Sequence, residues 1–136
     1  MTQIDPKIAD WQQNKHVVGM IEFSASASAA DCFPYYALPA EATFIGLAEA
    51  DALCLMNDGT LQVYDHEVEN RVLCPVAQNQ TVFISALKVL EAHFGKCVAD
   101  ESYDEDESAA VAVRQQCGEI AGGDDYAEFF SMMVGA

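Results

Sequence analysis

Apolar positions along the chain fall into two periodicities. Residues 44–48, 52–56, 61–65 and 71–74 are four short runs rich in apolar and β-branched side chains, following one another at close intervals. Runs of this length separated by turn chemistry read as strands. Between the second and third stands Asn57-Asp58-Gly59-Thr60, whose Asp-Gly pair tolerates positive φ and suits a tight hairpin turn. The four runs are therefore predicted to form an antiparallel meander. From residue 80 to 94 the period lengthens, and Val82, Phe83, Ala86, Leu87, Leu90 and Phe94 line one stripe of a helix. Gly95 is placed to stop it.

The flanks add shorter elements. Asp5-Pro6 reads as an N-cap with proline at the first helical position, opening a helix that puts Ile8 and Trp11 on one face and ends before Val17. Residues 17–23 have the composition of one further strand. Residues 24–30 are small and polar, a loop with room for a helical turn, and residues 33–39, with two prolines and three aromatics, suit an extended, packed connection. Residues 100–107 are an acidic run whose self-repulsion keeps it in solvent. Good helix formers resume at Ser108 and continue to Ile120, Gly122-Gly123 breaks that helix, and Asp124-Asp125 is placed to cap a last one from Tyr126, carrying Phe129, Phe130, Met132 and Met133. This order predicts one α+β domain over residues 1–136: an antiparallel sheet of four or more strands with helices packed around it.

Composition narrows the function classes. Apolar residues make up 51% of the 136 and are spread along the whole chain, which excludes general disorder. The first fifteen residues lack a basic segment followed by an apolar one, and no apolar run approaches the ~20 residues of a membrane span, so a cytoplasmic location is expected. Cys32, Cys54, Cys74, Cys97 and Cys117 are an odd set without C-x-x-C spacing. They are predicted to be reduced, mostly buried small apolar residues rather than a disulfide framework or a zinc knuckle. Acids outnumber Lys and Arg by 22 to 6, a formal charge of −16. Such a field repels nucleic acid and anionic lipid and speeds encounter with a basic protein surface. It also serves plain solubility, so charge alone does not decide for a partner.

Candidate chemistry is sparse. Asp65-His66-Glu67 places carboxylates beside an imidazole, which they could orient and make more basic. In a strand, however, Asp65 and Glu67 share one face while His66 points to the other, so a strand end entering a turn is the expected role. His16 and His93 have no second histidine at metal-binding helical spacing. Cys97 follows Lys96 but is expected just after a helix, where the dipole opposes a thiolate. The phosphate-loop, dinucleotide and nucleophile-elbow patterns are absent from the sequence. No catalytic residue, cofactor or metal is expected.

Residues 99–136 carry ten acids against the single base Arg114. Asp124, Asp125 and Glu128 stand close to Tyr126 and Phe129, both expected to be exposed, and acids mixed with aromatics suit a protein interface. The expected partner-binding set is Asp100, Glu101, Asp104, Glu105, Asp106, Asp124, Asp125 and Glu128.

The meander carries a family resemblance. Residues 45–55, with Gly46 and Asp51, and residues 59–67, ending in Tyr64-Asp65-His66-Glu67, resemble consecutive strands of the SUKH superfamily, which holds bacterial immunity proteins and relatives of a fungal cell-wall-synthesis regulator. Residues 82–90 stand where that family has its "S-F-x-x-F-L" helix. The similarity spans about residues 44–94, and residues 31–43 depart from the family pattern. It implies an α+β fold with helices around an antiparallel sheet and binding to a protein such as a toxin nuclease domain. Charge and resemblance meet in one expectation: a non-catalytic immunity-type protein that occludes a basic toxin surface. The alternatives are a regulatory or scaffold domain for a cellular enzyme, and a small hydrolase using Asp65, His66 and Glu67.

Overall fold

A computed structural model describes residues 2–136. The strands β1 (Val17–Val18), β2 (Ile21–Phe23), β3 (Ala42–Ala48), β4 (Asp51–Met56), β5 (Leu61–Tyr64) and β6 (Val72–Ala77) form one antiparallel sheet in chain order. The expected α+β class and antiparallel meander both hold. Helix α1 (Pro6–Asn14) precedes the sheet, α2 (Ala29–Cys32) interrupts it, and α3 (Gln80–Ala99), α4 (Glu101–Asp104), α5 (Glu107–Ala121) and α6 (Ala127–Val134) follow. No helix among the described residues is long and apolar enough to cross a membrane.

The sheet is covered on both faces, and unequally. On one face Ile21, Phe23, Ile45, Leu53, Leu55, Leu61 and Val63 pack with Phe83, Leu87 and Leu90 of α3, Cys117 and Ala121 of α5, and Phe129 and Phe130 of α6. Ile8 and Trp11 of α1 close the same core. On the other face Phe44, Ala52, Cys54, Met56 and Tyr64 meet Phe33, and Cys32, Tyr36 and Leu38 lean on them. The proline-aromatic segment is thus the packed connection expected, and it forms the second, smaller layer. Strand β4 alternates between the two cores residue by residue, and all six of its residues are buried.

Four local expectations are corrected. Residues 17–23 are a hairpin: Gly19 has φ +58, and Val18 pairs with Ile21. Glycine enters that region without a steric penalty, and a Cβ here would stand 2.4 Å from the Phe94 ring. Helix α3 runs through Gly95 to Ala99, because glycine inside a helix costs only about 1 kcal/mol. Its end is Asp100, which is extended and whose carboxylate caps α4 by accepting from the Ser102 N–H. Asp124 and Asp125 make no capping hydrogen bond, since they lie within a 3-10 turn rather than at the helix entry. Phe129 is not exposed but fully buried, edge-on to Phe130 at 5.2 Å.

Strand β6 continues through Pro75 to Ala77. A proline cannot donate to a ladder and is tolerated at a sheet edge, and β6 is an edge strand. In β3 a bulge at Ile45 precedes Gly46, whose backbone lies so close to Glu22 that an added Cβ would stand 2.4 Å from the carbonyl oxygen.

Leu87, buried to 1% exposure, reports on this packing: Leu87→Ala should lower unfolding free energy by about 2–5 kcal/mol in a denaturant titration. Gly95→Ala should raise it by about 0.5–1 kcal/mol in the same titration, because the position is helical and open to a Cβ.

Candidate functional site

The β4–β5 register assembles a cluster that residue spacing alone conceals. Ala52 pairs with Tyr64, so Asp51 at the start of β4 lies beside the chain as it leaves β5. Strand β5 ends at Tyr64, and the strand alternation expected for Asp65-His66-Glu67 does not apply. In the turn the His66 ring swings to Asp51, its Nδ1 2.7 Å from Oδ1. The His66 N–H donates to the same oxygen at 3.0 Å, and Asp65 Oδ1 accepts from the Glu67 N–H at 2.8 Å. Arg71, at the return of the loop, has Nη1 3.5 Å from Asp65 Oδ2. Ligand atoms of Asp51, Asp65 and His66 all lie within 4.8 Å of one another, the one such group of three among the described residues.

The second layer of the fold braces this turn. Tyr36 donates its hydroxyl to the Asp65 carbonyl, and the Tyr35 ring lies 5.3 Å from the His66 ring. Tyr36 also borders a largely apolar groove of about 600 Å³, lined by Ala29, Phe33, Leu38, Ala42 and Phe44. Asp51 and Asp65 are both buried, at 9% and 7% exposure, while His66 is partly open. The hydrogen bond to Asp51 raises the His66 pKa above its usual 6.5. Sequence reading named Asp65, His66 and Glu67 but missed Asp51. The paired β4–β5 register was the signal that could have found it.

The other histidine cluster is different. His93 is buried in α3, its Nδ1 2.8 Å from the Tyr103 hydroxyl and its Nε2 3.6 Å from Cys97 Sγ. Burial lowers the His93 pKa. Cys97 lies inside α3, not after it, and burial together with Asp104 raises its pKa, so the thiol stays protonated. Burial pushes Cys54 and Cys74 up to about 12 and Cys117 to about 11. These three are inert core residues, as expected from the sequence.

The eight acids expected at a partner surface are all exposed. They form two groups, Asp100–Asp106 before α5 and Asp124–Glu128 after it. A fifteen-residue helix separates them, so the groups stand roughly 20 Å apart at 1.5 Å per residue. Asp100 and Asp106 also have structural work: each caps a helix and accepts from the serine two residues on, Ser102 or Ser108. Those hydrogen bonds hold both carboxyls below the usual range. No family model matches the chain, and no curated protein or solved structure matches it.

The two histidines should titrate on opposite sides of 6.5. His66 gains a stabilising contact when protonated, so its contribution is full below about 6.5 and is lost as pH rises through its raised folded value. His93 is held neutral, so its contribution is full above about 6.5 and is lost as pH falls toward its lowered folded value. A pH series of imidazole NMR shifts checks this, and Asp51→Asn should move His66 alone back toward 6.5.

Proposed function

We propose that the chain is a non-catalytic binding protein, an immunity-type protein of the SUKH kind that occludes a basic, nuclease-type toxin domain. One observation carries the reading. Of 22 acids, only Asp65 forms an ion pair with a Lys or Arg among the described residues, and the eight acids around α5 are exposed. An acidic field left without internal neutralisation accelerates association with a positively charged surface. A toxin that grips nucleic acid has such a surface, and covering it blocks the substrate without chemistry. The α+β fold with a six-stranded antiparallel sheet is of the kind the resemblance implies. A regulatory or scaffold domain for a cellular enzyme would use the same surface with another partner.

A hydrolase built on Asp65, His66 and Glu67 is the second reading. The hydrogen bond between His66 and Asp51 favours it, because a buried carboxylate can orient an imidazole for proton transfer. In that reading Asp51, rather than Asp65 or Glu67, is the orienting group.

Binding kinetics against the partner recovered by pull-down test the first reading. Association should be fast at low salt and slow markedly as the Debye length shrinks from ~30 Å at 0.01 M to ~8 Å at 0.15 M. Reversing Glu101, Asp104 and Glu105 to lysine, which spares the capping Asp100 and Asp106, should reduce the association rate more than it raises the dissociation rate. An acidic partner, or rates indifferent to salt and to the reversal, would leave the acids a solubility role only.

A further inference from the structure

We propose that Asp51, Asp65 and His66 form a binding site for one divalent transition-metal ion of the zinc class. It stands independently of the immunity reading and reverses the expectation of no metal, which was reached without Asp51. The three ligand atoms already lie within 4.8 Å of one another. Ligands about 2.1 Å from a tetrahedral zinc ion are separated by about 3.4 Å, so small side-chain rotations close the site. The 2.7 Å hydrogen bond between His66 Nδ1 and Asp51 is then exchanged for two bonds to the ion, and the proton on Nδ1 leaves to solvent, with Nε2 keeping the ring N–H.

The surroundings are arranged as a metal site requires. Both hydrogen bonds that Asp51 accepts fall on Oδ1, and the backbone hydrogen bond that Asp65 accepts also falls on Oδ1. Each carboxylate is therefore oriented by a backbone amide through Oδ1, which leaves Oδ2 of Asp51 for the ion, while Oδ2 of Asp65 faces the exposed Arg71 guanidinium that an ion would displace. On the far side of the imidazole, Glu67 Oε1 lies 3.7 Å from Nε2, a side-chain rotation short of the hydrogen bond that would fix the tautomer presenting Nδ1 to a metal. Tyr35 and Tyr36 hold the turn from the second layer. Two buried carboxylates repel each other, and the one Lys or Arg paired with them, Arg71 beside Asp65, is 60% exposed and 3.5 Å away. A divalent ion would neutralise that pair directly.

The donor set selects the ion. One imidazole nitrogen with two carboxylate oxygens suits zinc, manganese, cobalt or nickel, whereas magnesium and calcium prefer all-oxygen shells. Three protein ligands leave a fourth position for water.

Isothermal titration of Zn²⁺ into the full chain, stripped with chelator and desalted, tests the site, with Mg²⁺ titrated in parallel. The expected result is one Zn²⁺ per chain, no comparable Mg²⁺ binding, and affinity at least tenfold weaker in Asp51→Asn and His66→Ala. Binding should be unchanged in Glu101→Gln/Asp104→Asn/Glu105→Gln and in His93→Ala/Cys97→Ser, which neutralise three of the six acids of the competing run and remove the other imidazole–thiol pair. NMR of the wild type supplies a readout that survives unfolding of any variant: Zn²⁺ should perturb amides of residues 49–52 and 64–71 first. The proposal is overturned if no stoichiometric binding occurs, if affinity persists in folded Asp51→Asn and His66→Ala, or if the perturbed amides lie around His93 or the acidic run.

Discussion

Burial of β4 on both faces is the constraint on which the rest of the structure depends. Leu53 and Leu55 enter the helix-covered core, while Ala52, Cys54 and Met56 enter the core beneath the proline-aromatic segment. A one-residue slip of a strand exchanges its two faces. Here such a slip would push Leu53 and Leu55 into the smaller layer and withdraw them from Phe83 and Leu87. Neither layer could then pack, so the register of β4 against β3 and β5 is fixed from both sides at once.

That register is what creates the one polar cluster of the sheet end. Asp51 follows the β3–β4 turn, where Glu49 adopts φ +56, and Asp65 and His66 follow the last pair of β5. Holding Ala52 against Tyr64 holds these three side chains together, on a frame rigid because apolar residues lie immediately inside it. Preorganisation of this kind is what separates a site from a chance meeting of polar side chains. The exposed acids around α5 belong to a different physical regime. They lie in high dielectric, the two groups are separated by the length of a helix, and their effect is long-ranged and screened by salt rather than dependent on ångström geometry.

Much of this was legible in the residues. The hairpin turn at Asp58-Gly59, the N-cap at Asp5, the stripe of α3 and the break at Gly122 depend on local φ, ψ and periodicity, and each is found. Cys54, Cys74 and Cys117 were legible as core residues because a thiol without basic neighbours behaves as a small apolar group. The errors share one origin. Gly95 was given the weight of a helix stop when its roughly 1 kcal/mol penalty does not keep α3 from running on to Ala99. Residues 17–23 look like one strand because two strands of a tight hairpin have the composition of one. Phe129 was placed at the surface because its acidic neighbours, Asp125 and Glu128, were weighted above its helical i, i+4 spacing with buried Met133.

The sequence by itself determined the class of the fold, the order of its elements and the sign and size of its electric field, because propensity, periodicity and net charge are sums over local composition. Tertiary structure alone decided which residues meet. It carried Asp51 across the β4–β5 ladder to His66, folded Tyr35 and Tyr36 over the same turn, and parted the acids of residues 100–106 from those of 124–128 by a helix. Spacing along the chain constrains neighbours within a turn or a strand. Meeting across a sheet is settled by which register buries both cores, and that choice is a property of the whole packed domain.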